Sequence, residues 1–86
     1  MNVAKYVVFD CDGVESVVLF PDCLTHNEVF VNSRMTGLCT PVAAGEFTIE
    51  HNQQVVVEGE SKSLKIGIRP QDALLIRKLL FPPKTI

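Results

Sequence analysis

The spacing of apolar residues changes along the chain, and each change marks an element. From Ala4 to Asp10 apolar and aromatic residues run nearly unbroken, and β-branched and aromatic side chains of this kind favour a strand. Asp12-Gly13 follows, a pair that supplies the positive φ of a tight hairpin turn. Glu15 to Phe20 then reads as a second strand, so the pattern predicts an N-terminal β-hairpin. Pro21 closes it, because proline has no N–H to give to a ladder.

The stretch from Asp22 to Val31 reads two ways. Thr25 with Glu28 three residues on forms a minimal capping box for a short helical turn, while Val29, Phe30 and Val31 fit the start of another strand equally well. Residues Asn32 to Pro41 carry Asn, Ser, Gly and Pro, which predicts a loop. From Val42 to Glu50 a period of two emerges: Phe47 and Ile49 alternate with Glu46, Thr48 and Glu50, as in a half-buried strand. His51-Asn52-Gln53 is a turn and Gln54 to Glu58 returns as the fourth strand. Gly59-Glu60-Ser61-Lys62-Ser63 interrupts the pattern as a polar connection. Leu64, Ile66 and Ile68 then alternate with Lys65, Gly67 and Arg69, which predicts a short fifth strand.

The period finally lengthens to that of a helix. Pro70 suits a helix start, where its missing N–H costs nothing. Asp72 in the first turn and Arg77-Lys78 near the end match the macrodipole, and Pro82-Pro83 stops the element. The spacing predicts a helix over 70–81. At about 100° per residue, Ala73, Leu75, Ile76, Leu79 and Leu80 share the face that should meet the sheet. Leu74 and Phe81 fall on the opposite side, beside Arg77 and Lys78. The expected fold is α+β: an antiparallel sheet of four to five strands, opening with the hairpin, with the C-terminal helix on one face. Residues 1–86 are expected to form a single domain.

Composition agrees with a folded, β-rich core: apolar residues make up 47% of the 86, charged residues 21%, and the aromatics are five Phe and one Tyr. No apolar run approaches the roughly 18 residues of a membrane span. The first residues, Met1-Asn2-Val3-Ala4-Lys5-Tyr6, lack the basic and apolar stretches of a signal peptide, so the expected location is the cytoplasm. Three cysteines, Cys11, Cys23 and Cys39, are odd in number and widely spaced, which argues for buried free thiols rather than a disulfide framework. The net charge of −2 points to neither nucleic acid nor membrane.

One motif carries candidate chemistry. Val7-Val8-Phe9-Asp10-Cys11-Asp12-Gly13-Val14 resembles the first motif of the haloacid-dehalogenase superfamily of phosphatases, an apolar strand ending in Asp-x-Asp-Gly. The resemblance implies Asp10 as the phosphoryl-accepting nucleophile, Asp12 as the general acid and both as Mg²⁺ ligands. It covers eight residues. The downstream acidic pair and the helical crossovers of that family's parallel sheet have no counterpart, since the strand-like runs here lie only a few residues apart. An apolar strand followed by Asp-Gly is also the signature of a hairpin, and this is the reading adopted; no catalytic residue and no cofactor are expected.

Other constellations are weaker. Cys23 and His26, with Cys11 and Cys39, could make a Cys₃His zinc site, but only one pair has knuckle spacing. Lys62, Lys65, Arg69, Arg77 and Lys78 form a nucleic-acid strip only if strand and helix ends converge, and no exposed aromatics interleave them. In its overall style the chain resembles small accessory proteins of bacteriophages and mobile elements. The similarity lies in a compact β-rich chain, the run Gly59-Glu60-Ser61-Lys62-Ser63-Leu64, and Arg69-Pro70-Gln71-Asp72 leading a terminal helix. That resemblance implies a binding role toward a host or defence component. The expected function is therefore a non-catalytic interaction protein, a homodimer, with Leu74, Phe81, Arg77 and Lys78 at the partner or dimer contact. A small Mg²⁺-dependent phosphatase using Asp10 and Asp12, and a nucleic-acid-binding module, are the alternatives.

Overall fold

The computed structural model describes residues 4–32 and 39–82. Strand β1 (Ala4–Cys11) turns back into β2 (Val14–Pro21) through Asp12-Gly13, both with positive φ, 58° and 88°. Only Gly adopts the second of these without a Cβ penalty. The short helix α1 (His26–Asn32) follows, then β3 (Thr40–Glu50), a 3₁₀ turn over His51–Gln53, and β4 (Gln54–Glu58). Two short strands, β5 (Glu60–Ser61) and β6 (Ile66–Gly67), precede helix α2 (Asp72–Leu80). The main sheet has the order β2-β1-β3-β4, antiparallel throughout. This is the predicted α+β architecture, hairpin first and helix last.

β1 lies inside the sheet with both faces covered, which explains its unbroken apolar run. Tyr6 and Val8 point to one face, where they join Ala43, Phe47, Val55 and Ile76 of α2. Val7 and Phe9 point to the other, with Phe20 and Ala44, covered by Val29 and Phe30 of α1 and by Leu64 and Ile66. The Phe9 and Phe30 rings stack at 5.8 Å and Tyr6 meets Phe47 edge-on at 6.4 Å. Gly45, opposite Tyr6, is required by close approach: a Cβ there would sit 2.5 Å from Ile68 Cγ2 and 2.8 Å from the Glu58 carbonyl oxygen. Ile68 thus crosses the sheet over a position only glycine can fill.

Three expectations change here and one open alternative is decided. Residues 64–68 do not add a fifth strand to the sheet; β6 pairs with β5 in a separate two-stranded ladder, closed by a turn in which Lys65 has φ 60°. The third strand begins at Thr40 rather than Val42, because the register shift between Val8 and Phe9 seats Pro41 opposite Phe9, an irregularity of the kind that tolerates a proline in a sheet. The remainder of the predicted loop, 33–38, lies outside the described residues. The ambiguous segment is helical from His26, and its capping box forms: Glu28 N–H donates to Thr25 Oγ1 and Thr25 N–H to Glu28 Oε1, each at 3.0 Å.

The last correction concerns the cysteines. Cys11 and Cys39 are bonded to each other, with their Cα atoms 4.3 Å apart, and the free thiol of Cys23 is exposed. Cys11 ends β1 and Cys39 immediately precedes β3, and antiparallel neighbours place such side chains within disulfide reach. Sequence spacing alone cannot reveal that proximity. Among the described residues, no helix is long and apolar enough to cross a membrane.

Candidate interaction surface

Helix α2 is fixed by its first residue. Asp72 has no solvent exposure, and a buried carboxylate must be paired or fully hydrogen-bonded. Tyr6 Oη–H donates to Asp72 Oδ2 at 2.6 Å, the Arg69 backbone N–H donates to the same oxygen at 2.8 Å, and Arg69 Nε–H donates to Oδ1 at 2.9 Å. The far end of the Arg69 guanidinium donates to both Glu15 carboxylate oxygens, at 2.8 and 3.0 Å. This fork-to-fork geometry is the strongest form of side-chain ion pair. Burial, then the hydrogen bond and charge of Asp72, push the Tyr6 phenol far above its ordinary range, so it stays a donor. The Arg69 hydrogen bonds hold the Glu15 carboxyl below its ordinary value. Among the described residues no buried side-chain nitrogen or oxygen lacks a partner. The cluster is a closed anchor between β1, β2 and α2, with no spare group aimed at a ligand.

The outer side of α2 is different. Leu74 and Leu79 are each 54% exposed, and Leu80 is exposed as well. Arg77 and Lys78 are exposed between them, and Phe81 is half-buried just past the helix end. The sequence placed Leu79 and Leu80 on the sheet-facing side, and this is corrected. The nine residues of α2 span only about 13 Å, and its buried or half-buried helical positions are Asp72, Ala73, Leu75 and Ile76. The last turn brings no buried residue. Ala73, Leu74 and Arg77 border a shallow groove with Gln54 and Val55 of β4 and Pro70.

The remaining sequence candidates fall elsewhere. Asp12 is the first residue of the hairpin turn and Asp10 lies just before it in β1, where Asp10 Oδ1 accepts the Gly13 N–H at 2.7 Å, which is turn chemistry. The sheet beneath them is antiparallel, unlike the parallel sheet the phosphatase resemblance implies. His26 is buried; its Nε2–H donates to the Gly45 carbonyl at 3.0 Å and its ring stands edge-on to Phe20. With Cys11 and Cys39 bonded and Cys23 exposed, no described cluster of three His, Cys, Asp or Glu side chains is arranged for a metal ion. Lys62 borders a cleft of about 330 Å³ with Lys5, Thr25, His26, Glu46, Glu60 and Ser63, Arg69 is engaged by Glu15 and Asp72, and Arg77 and Lys78 lie on α2.

Sequence reasoning missed the Tyr6–Asp72–Arg69–Glu15 cluster. Its partial signal was an acidic residue at the helix start, read only as a complement to the macrodipole. No family model, curated protein sequence or solved structure matches the chain.

Proposed function

We propose that this chain is a small non-catalytic interaction protein that works as a homodimer and, as its resemblance to phage and mobile-element accessory proteins implies, binds a host or defence component. The observation that carries the reading is the apolar outer surface of α2, where Leu74, Leu79 and Leu80 are exposed beside Arg77 and Lys78. A helix whose position is set by a closed hydrogen-bond cluster does not need outward leucines for its own docking. Grouped apolar side chains on a small domain favour contact with another chain. Self-association also enlarges the thin core of an 86-residue chain.

Light scattering at micromolar concentration tests this. The expected mass is twice that of the 9.5 kDa chain; a single-chain mass overturns the homodimer. Mg²⁺-dependent phosphatase turnover that disappears in Asp10→Asn overturns the non-catalytic reading. A cytoplasmic setting is part of the proposal, and it is in tension with the Cys11–Cys39 bond, since reducing compartments keep such pairs as thiols. Thiol counting on protein from its native source decides it: three free thiols fit the cytoplasm, whereas one fits an oxidising compartment.

A further inference from the structure

Among the described residues the sheet has two open edges, β2 and β4, and they are not equivalent. β2 runs eight residues, against five in β4. Its pairing with β1 is regular from Cys11↔Val14 to Ala4↔Pro21, with no bulge. In a two-residue hairpin the residues flanking the turn exchange both hydrogen bonds, so Val14, Ser16, Val18 and Phe20 direct their backbone groups to β1. Glu15, Val17 and Leu19 direct theirs outward, and among the described residues no backbone group meets them. Of the usual protections of an edge strand, β2 has Pro21 at its end and the charge of Glu15, but no lysine and no bulge. The strand's single charge, Glu15, is already engaged by Arg69.

From this edge, and resting on the homodimer reading above, we propose that a second copy of the chain joins through β2. Pro21 limits the register. It has no N–H, and its carbonyl accepts the Leu24 N–H at 3.2 Å, so pairing ends at Leu19. The two-fold register that uses all three outward residues sets Val17 opposite Val17 of the partner subunit and Glu15 opposite Leu19 of the partner subunit. Each of these pairs exchanges two N–H···O bonds, and no like charges face each other. The axis stands perpendicular to the sheet, so one continuous eight-stranded sheet results, twice the four strands of one chain, with both α2 helices on the same face.

Helix α2 packs on the same face as Val17. Its flank toward β4 carries Ala73, Leu74 and Arg77. The opposite flank, toward β2, carries Leu75 and, one turn on, the exposed Leu79. On the other face the register brings Val14, 67% exposed, against Phe20 of the partner subunit. The contact is isologous: every residue pair in it recurs under the two-fold, which a foreign strand would not reproduce.

Cross-linking tests the register in the full chain. Cys23→Ser removes the exposed free thiol, and Val17→Cys or Val56→Cys is added to that background with a short thiol-specific cross-linker. Val17→Cys is expected to give a product of doubled mass, and Val56→Cys in β4 to give none. Ser16→Cys is a conservative second probe on the opposite face, should Val17→Cys disturb packing. Circular dichroism and light scattering on each variant report fold and mass. A dimer mass with cross-linking at position 56, or at neither position 17 nor 16, overturns the β2 joint and leaves self-association standing. A single-chain mass overturns both.

Discussion

The two faces of the sheet are closed by different means. On one, α2 is held by directional bonds: a single buried carboxylate accepts from Tyr6, from Arg69 backbone and from Arg69 side chain. On the other, α1 and the β5–β6 ladder lie over Val7, Phe9, Phe20 and Ala44 chiefly by apolar contact, with one buried bond from His26 to the Gly45 carbonyl, and the Cys11–Cys39 bond ties β1 to β3 covalently. The contrast bears on function. Apolar packing fixes an element only by burying its side chains, whereas a hydrogen-bonded anchor fixes α2 while leaving Leu74, Leu79 and Leu80 exposed.

If that contrast holds, Asp72→Ala has the largest effect. It strands the Tyr6 hydroxyl and half of the Arg69 guanidinium, a loss of about 3–5 kcal/mol for breaking a buried pair, read by urea denaturation. Removing the bond on the other face, with Cys11→Ala and Cys39→Ala together, costs about 3–4 kcal/mol by the chain-entropy relation for a separation of 28 residues. The free energy from oxidised and mutant proteins under identical conditions checks it. Thr25→Ala removes one half of the α1 capping box and costs about 1 kcal/mol; equal stability would show that the box adds nothing to packing and the His26 bond.

The smallest effect is the acid dependence of the α2 anchor. Glu15 is held below its ordinary value of 4.5 by Arg69, so its contribution is complete above that value and fades as pH falls through the lower folded one. Denaturation midpoints measured from pH 6 downward, a range set to cross the carboxylate region, should fall less steeply in Glu15→Gln than in the native chain. Parallel slopes would remove Glu15 from the account.

Much of the fold was legible in the sequence, for reasons that separate the local from the distant. The hairpin lay in Asp12-Gly13, β3 in the alternation around Phe47, and α2 in the distance from Pro70 to Pro82. Each is a short-range rule. The Thr25–Glu28 box marked α1 but could not outweigh the β-branched run after it. What joins remote residues was illegible: Cys11 with Cys39, Tyr6 with Asp72, Glu15 with Arg69. Helical spacing marks Leu74, Phe81, Arg77 and Lys78 as the expected partner or dimer contact; the structure leaves Leu74, Arg77 and Lys78 exposed and Phe81 half-buried. Spacing points Leu79 and Leu80 inward, yet both are exposed, because spacing gives direction but not whether sheet lies beneath.

The central claim is that the chain joins a second copy through the β2 edge, and amide hydrogen exchange at β2 tests it most directly. In a β2 joint the N–H groups of Glu15, Val17 and Leu19 exchange slowly at high chain concentration and faster on dilution, while that of Val7, bonded inside the sheet, stays slow at both. Rapid exchange of all three at every concentration would contradict the account.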